Sequence, residues 1–404
     1  MKEIARLFYC CQSLVKDEPC KALNGETEPM KKVNRSRRDF LKTSAIATAA
    51  GTLGAGSITA FAAPSAGDIK VAGYDYDRVR GIMDGRAGID GHEVSFHYEN
   101  IYSVNRIAFG PEKTYEVSEL GLIPYVSKFV NDGFRDYTLI PVFISRVFRH
   151  RNVFVRADSG IDRPEDLKGR RVGTPGYGMS ANTWIRGFLK DEYGVEAEDM
   201  EWIETTKSSD AGVLAGSGWN SFKPDGSSNY YLPSDFPLRK GPPGLDESEL
   251  LLSGQCDALI TAITPQAFLD NDPRIKRLFP DVKRTEQEYF TKTGMFPIMH
   301  VVGVRNSAIA ENPDLPMRVF EMYERAKALA YADLETTTSL KVSLPWVTQE
   351  FETTRKLMGD DYWPYGIKAN SKELEHVMRY THEQGLVERR VDFREMFHPS
   401  TMGT

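Results

Sequence analysis

A histidine and a glutamate are the residues in this sequence best suited to acid–base chemistry. His300 ends the apolar run Thr293–His300, and an imidazole titrates near neutral pH, so it could serve as an acid. Glu119 directly follows Ser118 in another apolar stretch and is the second inward-facing acid candidate. A histidine in an apolar strand is more often a core residue with its hydrogen bonds satisfied. A catalytic role for His300 and Glu119 is therefore expected only if the protein is an enzyme.

Two segments that contain arginine could hold an anion. The first, Tyr74–Arg78, follows the first predicted strand, where open α/β sheets bind ligands. Arg78 could clamp a carboxylate through two parallel hydrogen bonds, with Tyr76 as an aromatic wall. The second, Ser145–Arg151, has four cationic or potentially cationic side chains, among which Arg146 is a candidate. The alternatives are a helix cap paired with Arg78 and a basic run that faces solvent.

A glycine-rich turn, Pro175–Ser180, is the third candidate site. It separates a predicted strand, Arg170–Thr174, from a predicted helix, Ala181–Tyr193, so its backbone N–H groups could bind a carboxylate or phosphate. Ser180 is placed to cap that helix or to donate to the anion. The turn matches neither a dinucleotide fingerprint nor a P-loop, and ordinary turn chemistry is the alternative. The predicted ligand-binding residues are Tyr76, Arg78, Ser118, Arg146, Thr174, Tyr177, Ser180 and His300, with Trp184 as a further aromatic wall.

The elements that must position these residues alternate between strand and helix. Strand, glycine-rich turn and helix recur along the chain, which predicts an α/β architecture with parallel strands. His92–Tyr98 alternates apolar and polar residues, as a half-buried strand does. Val117–Val130 is predicted to be helical, and Phe296–Val304 to be a strand. From Leu315 onward the chain is predicted to be mostly helical, with an amphipathic tail over Lys341–Phe397.

One long segment interrupts this pattern. Thr205–Glu247 is rich in Gly, Ser, Pro and Asn and is too long for a simple connection. It is either a flexible insertion or a lid over a cleft, since long loops in compact domains often bind ligands. In the second case the part near Trp219 would form the lid.

The N-terminus predicts export. Ser36–Lys42 reads SRRDFLK, the twin-arginine pattern, and a weakly apolar run ends in Ala60-Phe61-Ala62, a signal-peptidase site. We therefore expect the twin-arginine machinery to deliver the protein to the periplasm, with cleavage near Ala62. Met30 would begin a signal of ordinary length, so translation is expected to start there rather than at Met1.

Composition excludes several classes of protein. The 404 residues include 51 Lys and Arg against 57 Asp and Glu, a net charge of −6 without a dense basic block in the body, which argues against a nucleic-acid partner. A mean hydropathy of −0.42 excludes a polytopic membrane protein. Beyond the first 62 residues only Cys256 remains, which excludes a disulfide framework and a cysteine metal cluster. Zinc-protease, hydrolase and EF-hand motifs are missing, so neither a metal nor an organic cofactor is expected.

Several segments together resemble one enzyme family. The chain is similar to 4,5-dihydroxyphthalate decarboxylases in VAGYDYDRVRGIMDGR, EVSELGLIPYV, SRVFRHRNVFVRADSGI, PEDLKGRRVGTPGY, EQEYFTKTGMFPIMHVVGVR and GDDYWPYGIKAN. These segments occur in order from about Ile69 to Phe397, and only Thr205–Glu247 matches poorly. Those enzymes in turn resemble solute-binding proteins of the type II periplasmic fold, particularly the nitrate, sulfonate and taurine class.

The resemblance implies two α/β lobes joined by two crossover strands, with a ligand cleft between them and a helical C-terminal tail. After the N-terminal extension and signal, residues 1–62, lobe 1 would comprise 68–153 with 298–404. Lobe 2 would comprise 154–297, with the insertion at about 205–247. By the same analogy Arg151–Ala157 and about Glu288–Pro297 would be the crossovers.

Two functions of different classes fit the sequence. The first is a periplasmic receptor that closes on a small anionic carboxylate, aromatic or aliphatic, and passes it to a membrane transporter permease. The second is a lyase that decarboxylates a hydroxylated aromatic acid, with His300 or Glu119 as the acid and an arginine on the second carboxylate. Two departures from the enzyme pattern favour the receptor. Phthalate intermediates are processed in the cytoplasm, whereas this chain carries an export signal, and its turn after Thr174 has two glycines where the enzymes have more polar residues.

Overall fold

Two β-sheets organise the part of the chain that the computed structural model describes, residues 66–207, 221–223 and 226–404. The predicted signal peptide, its cleavage site and Trp219 lie outside these residues. The strands are β1 Ala66–Gly73, β2 His92–Tyr98, β3 Val117–Gly121, β4 Tyr137–Arg146, β5 Val153–Arg156, β6 Arg171–Thr174, β7 Glu201–Glu204, β8 Leu238–Lys240, β9 Ala258–Ile260, β10 Ile275–Arg277 and β11 Ile298–Arg305.

Helices connect the strands and form most of the C-terminal region. They are α1 Arg80–Met83, α2 Ile101–Phe109, α3 Leu122–Asn131, α4 Ser180–Tyr193, α5 Glu247–Leu252, α6 Gln266–Leu269, α7 Val282–Thr293, α8 Asn306–Glu311, α9 Leu315–Glu335, α10 Val347–Met358 and α11 Ser371–Glu383. The predicted helical C-terminal region is therefore present, although a loop separates α10 from α11. Within the described residues, none of these helices has the length and apolar character needed to cross a membrane.

The two sheets repeat one topology. The first has the order β2-β1-β3-β11-β4, and the second has the order β10-β5-β9-β6-β7-β8. In each, three strands run parallel (β2, β1 and β3; β7, β6 and β9), the next strand is antiparallel to them, and one further strand pairs antiparallel with that one. The antiparallel strand is β11 in the first sheet and β5 in the second, and the chain enters each of them after leaving the other sheet. β8 is an additional parallel edge strand of the second sheet.

The chain thus passes between the sheets twice, after Arg146 and before Ile298. β5 belongs to the second sheet and β11 to the first, so these passages fall close to the boundaries expected at 153/154 and 297/298. The division into two lobes at those residues stays a prediction. The second passage is shorter than expected, because α7 continues to Thr293 and includes Glu288.

Burial explains which strands the sequence pattern identifies. β2 pairs with β1 alone and alternates in sequence, and the structure gives it the predicted bounds. β3 lies inside the sheet and is buried at every position. A strand covered on both faces has no polar alternation, so periodicity alone cannot separate it from a buried helix. The helix predicted over Val117–Val130 is therefore wrong at its start: Val117–Gly121 is a strand, and the helix begins at Leu122.

The predicted cap of α4 is also wrong. Met179 is the N-cap residue and Ser180 is the first helical residue. The Ser180 Oγ instead accepts a hydrogen bond from the backbone N–H of Ile123, at 3.2 Å. Because Ile123 lies in α3, which follows the first sheet's β3, this contact joins the beginnings of two helices that follow strands of different sheets.

Candidate functional site

The carboxyl edge of the first sheet brings the two acid candidates together. β11 runs antiparallel to β3, so His300 lies opposite Gly121 and Val302 lies opposite Glu119. On its other side His300 lies opposite Ser145 of β4. The Glu119 Oε1 and His300 Nδ1 atoms are 2.6 Å apart, although the residues are 181 positions apart in the sequence. The predicted pair of acids therefore forms one hydrogen-bonded unit.

Three donors converge on the Glu119 carboxylate, which is almost completely buried at 2% exposure. Oε1 accepts from the Tyr76 hydroxyl at 2.9 Å as well as from His300, and Oε2 accepts from the backbone N–H of Tyr74 at 3.0 Å. A buried carboxylate is stable only when its oxygens are hydrogen-bonded in this way. Burial and the facing carboxylate raise the pKa of the Tyr76 hydroxyl, so it stays protonated and donates.

Gly73 lets the backbone of β1 approach this carboxylate. A Cβ atom at that position would lie 2.7 Å from the Glu119 Oε2, which is inside van der Waals contact. The end of β1 can therefore turn across Glu119 and present the Tyr74 N–H to it. This is a close approach that only glycine permits without displacing a neighbour.

His300 has one ring nitrogen held and the other directed elsewhere. An ionised carboxylate only accepts hydrogen bonds, so the contact with Glu119 assigns the proton to Nδ1. Nε2 makes no hydrogen bond to any residue that the structure describes. The side chain is 17% exposed, and its ring stacks at 14° with Tyr74, with centroids 6.4 Å apart. The imidazole is thus oriented by Glu119 and can offer Nε2 to a bound molecule.

Arg78 is near this unit but already has partners. Its Nε donates to the Ile144 carbonyl at 2.7 Å, as does Nη2, and Nη1 pairs with Asp77 at 3.1 Å. Its guanidinium lies 4.1 Å from the Tyr76 ring centroid and 4.0 Å from that of Trp363. The structure therefore brings Tyr76, Arg78, Glu119 and His300 together. The guanidinium of Arg78 is already bound mainly by the Ile144 carbonyl, Asp77 and two aromatic rings.

Arg146 and Ser118 are buried beside the sheet. The Arg146 side chain is fully buried, donates to the Phe296 carbonyl at 3.1 Å and lies 3.5 Å from Glu373. Burial lowers its pKa to about 10, which leaves it charged at neutral pH. Its Nε and Nη2 have no hydrogen-bond partner among the described residues. The buried Ser118 hydroxyl donates to the backbone carbonyl of Glu119.

The glycine-rich turn is covered by the insertion. A Cβ atom at Gly178 would collide with the hydroxyl of Tyr230, so the insertion packs directly onto the turn. The Tyr230 hydroxyl also hydrogen-bonds the Gly178 backbone, one of the groups that was expected to face an anion. Thr174 and Tyr177 are fully buried: Thr174 accepts from Asn182 at 2.8 Å, and Arg186 stacks 3.7 Å from the Tyr177 ring centroid.

The turn residues contact α4 and the insertion, and none of these contacts is with Glu119 or His300. Trp184 is fully buried and donates to the Ile298 carbonyl at 2.8 Å. Their roles as ligand-binding residues stay predictions. At the end of β7, next to the turn, burial raises the pKa of the Glu204 carboxyl to about 7, and Ser221 of the insertion donates to it from its N–H and its hydroxyl.

The carboxyl edges of the two sheets meet in one apolar cluster. Residues that follow β1 and β2, including Tyr74 and Tyr102, pack with Met179 at the start of α4 and with Ala262 and Ile263 after β9. Open α/β sheets bind ligands at these edges, and here the two edges face each other. We call the region formed by Tyr74, Tyr76, Tyr102, Glu119, Arg149 and His300 the cleft cluster.

Arg149 and Tyr102 are the members of the cleft cluster that the sequence did not single out. Arg149 lies in the passage from the first sheet to the second, and its Nε is 3.2 Å from the Met299 Sδ. Its Nη1 donates to the Asn152 side chain at 3.3 Å and to the Ala262 carbonyl at 3.4 Å. The signal was present as the basic run Ser145–Arg151, but only the fold shows which of its cations faces the cleft.

Two family profiles match this chain. The twin-arginine translocation signal matches residues 36–54, which confirms the predicted export to the periplasm. The profile described as NMT1/THI5 like matches residues 142–217. With the repeated sheet topology, this match confirms the predicted fold class, the two-sheet α/β fold of type II periplasmic binding proteins. The protein is thus an exported protein with a binding-protein fold.

Known relatives give the family. The 4,5-dihydroxyphthalate decarboxylase of Comamonas testosteroni is 35% identical over 334 residues, which are 83% of this chain and 97% of that protein. The decarboxylase of the same name from Pseudomonas putida is 31% identical over 227 residues, 55% of this chain and 81% of that protein. Among solved structures, the periplasmic sulfonate-binding protein SsuA from Methylobacillus flagellatus has a TM-score of 0.49 and 13% identity, over 83% of this chain and 92% of that one. The chain belongs to the 4,5-dihydroxyphthalate decarboxylase family.

Proposed function

We propose that this exported protein is a receptor that binds a small carboxylate anion in the cleft cluster and passes it to a membrane transporter. The observation that carries the proposal is the placement of an oriented histidine among tyrosines, at the facing carboxyl edges of the two sheets, in a chain with an export signal. The tyrosine rings favour a ligand with a flat, aromatic body. A receptor needs complementary charge and closure, and the cleft cluster supplies a cation and polar hydrogen-bonding groups for this purpose.

Closure follows from the two passages between the sheets. A hinge needs a few residues that change their dihedral angles, and the passages around 147–152 and 294–297 are short. In the present conformation, contacts such as the hydrogen bond from the Ile123 N–H to the Ser180 Oγ join the parts of the chain that carry the two sheets. A ligand that touched both edges would stabilise this form over an open one, as a receptor for transport requires.

Decarboxylation is the second candidate, and the Glu119–His300 pair favours it. In this reaction His300, protonated on both ring nitrogens, would give its Nε2 proton to the ring carbon that carries the carboxylate. The bond from that carbon to the carboxylate then breaks, its electron pair restores the aromatic ring, and CO2 leaves. Glu119 would hold the imidazole and stabilise its charged form, and water would return the proton. Family membership supports this candidate, because both named relatives are decarboxylases.

One experiment tests the receptor proposal and separates it from the second candidate. The mature protein is heated with each of a panel of aromatic and aliphatic carboxylates, and a bound ligand should raise its melting temperature. At a ligand concentration of 100 times Kd, binding raises the free energy of unfolding by about 2.7 kcal/mol. The same protein is incubated with carboxyl-labelled 4,5-dihydroxyphthalate, and released CO2 is counted. A receptor shows a thermal shift without CO2 above background. The receptor proposal fails if no carboxylate shifts the melting temperature.

The lyase candidate predicts a different pattern. CO2 would be released over many turnovers, and His300→Gln would slow the release by about 100-fold or more, the usual contribution of a positioned acid. His382→Gln, at an exposed position of α11, is the matched control and should leave the rate unchanged. Sustained release that depends on His300 would replace the receptor by the enzyme.

A further inference from the structure

Arg149 and Arg186 have no acidic partner at ion-pair distance among the described residues, whereas Arg78 and Arg146 each have one. Arg78 pairs with Asp77, and Arg146 lies beside Glu373. Arg186 is 1% exposed beneath the glycine-rich turn, where its Nε and Nη2 donate to Gln384 and to the Tyr177 carbonyl. Arg149 forms no ion pair with any described residue, and Glu286 attracts it only from beyond ion-pair distance.

The guanidinium of Arg149 also has donors to spare. Its hydrogen bonds within the described chain use Nε and Nη1, and Nη2 makes none. The side chain is half-buried, so it is neither solvated like a surface arginine nor sealed like Arg186. Arginine N–H groups bind carboxylates through charge-assisted hydrogen bonds, and the Nη2 group of Arg149 is unused within the described chain.

The contacts of Arg149 place its guanidinium next to the rest of the cleft cluster. The hydroxyl groups of Tyr76 and Tyr102, both in the cleft cluster, are near enough to raise the pKa of Arg149 against the effect of burial. Met299, whose sulfur it contacts, precedes His300 in β11. Ala262, whose carbonyl it contacts, belongs to the apolar cluster where the two sheet edges meet. These contacts place Arg149 in the cleft cluster, where a bound anion could reach its guanidinium.

The lowered pKa of Arg149 also indicates that a bound anion would stabilise its charge. Burial, reinforced by the nearby Arg151, lowers the pKa of Arg149 to about 9, so the group remains charged at neutral pH but is held at a cost in free energy. A partly buried charge without a counter-ion is stabilised by any anion that enters its site. A ligand carboxylate would provide the partner that the described chain lacks.

We propose that Arg149 binds the carboxylate of the ligand and makes the cleft selective for anions over their uncharged analogues. This inference rests on the proposed binding function and names the residue that gives it specificity. It assigns to Arg149 the part that the sequence assigned to Arg78 or Arg146, both of which have acidic partners in the structure. It applies to the receptor and to the lyase, because each must hold a carboxylate.

The test measures binding by calorimetry with phthalate, or the carboxylate of the panel with the largest thermal shift, and with its uncharged amide. Arg149→Met should weaken carboxylate binding by about 10- to 100-fold, the loss expected for a hydrogen bond between charged groups. Arg149→Lys keeps the charge but loses the planar fork, so an intermediate loss of about 5-fold or more is expected. Arg151→Met removes the same charge from an exposed neighbour and should change affinity by less than about twofold.

Affinity for the uncharged amide shows whether Arg149 recognises the carboxylate itself or only supports the fold around the site. If Arg149 only positions Met299 and Ala262, Arg149→Met weakens the carboxylate and the amide equally, and the inference is overturned. It is also overturned if Arg149→Met keeps wild-type affinity for the carboxylate, which leaves the binding function itself standing. If Arg149→Met does not fold, Arg149→Lys decides, and equal affinity to wild type overturns the inference. A wild-type protein that binds no carboxylate overturns the proposed function instead.

Discussion

Replacing Glu119 with glutamine should destabilise the protein strongly, because this carboxylate accepts from three donors at once. Its oxygens bond the Tyr76 hydroxyl, His300 and the Tyr74 backbone N–H. A glutamine keeps one of the two oxygens and places an amide nitrogen where the other was. Whichever way the amide turns, its nitrogen replaces an acceptor, so the groups that faced that oxygen lose their acceptor or must rearrange.

The size of the effect follows from those contacts. With the nitrogen toward Tyr74, one buried N–H is unsatisfied, at a cost of about 1–3 kcal/mol, and two charge-assisted bonds become neutral ones, at about 1 kcal/mol each. In the opposite orientation the amide nitrogen faces Tyr76 and His300, which must turn the hydroxyl and change the ring tautomer to accept from it. We expect Glu119→Gln to lower the free energy of unfolding by about 3–5 kcal/mol, as for a broken buried ion pair.

Urea unfolding of the mature protein measures this loss. Glu112→Gln is the matched control, because its side chain is 53% exposed and pairs only loosely with Arg106, at 3.4 Å; it should change stability by less than about 0.5 kcal/mol. Adding Tyr76→Phe to Glu119→Gln should cost less than Tyr76→Phe alone, since the two residues share one bond. Glu119→Gln as stable as Glu112→Gln would show that the carboxylate does not hold these donors.

Three other predictions concern export, pH and Arg78. Lys in place of both Arg37 and Arg38 should keep the precursor in the cytoplasm, seen by fractionation and immunoblotting; normal export would refute the signal. Because burial raises the pKa of Glu204 to about 7 in the folded state, the folded protein binds more protons than the unfolded one between about pH 4.5 and 7. Stability should fall by about 3 kcal/mol as pH rises through this window, and Glu204→Gln should flatten that slope in melting curves. Arg78→Ala should lower stability by about 1–2 kcal/mol in urea, since Arg78 binds the Ile144 carbonyl and two rings; an unchanged value would leave the guanidinium free for the ligand.

The fold was predictable where one sheet face or one turn leaves a local pattern. β2 has the alternation of a half-buried strand, and the glycine-rich turn marks the passage from β6 to α4. β3 has no such pattern, because all five of its residues are buried. Its role as a central strand depends on β1 and β11, which pack on either side of it.

The site was predictable as a set of residue types but not as an arrangement. Glu119 and His300 were identified separately, and only the antiparallel pairing of β3 with β11 makes them one unit. Arg149 could not be chosen from its neighbours, because β4 ends at Arg146 and a short 3-10 turn at His150–Asn152 redirects the chain. The contact of Tyr230 with Gly178 is likewise set by the path of the insertion, which leaves no periodic signal.

The place of β11 in the first sheet sets an order of events during synthesis. β11 lies between β3 and β4, so these strands stay unjoined until the ribosome has made β11. His300 follows Glu119 by 181 positions, and at 5–20 residues per second that distance takes about 10–40 s to translate. The export signal leaves the ribosome first, and the Glu119–His300 hydrogen bond can form only late in synthesis. Since the twin-arginine pathway carries folded proteins, the pair is complete before the protein leaves the cytoplasm, and under the proposed function carboxylates of the cytoplasm would be the first to reach the site.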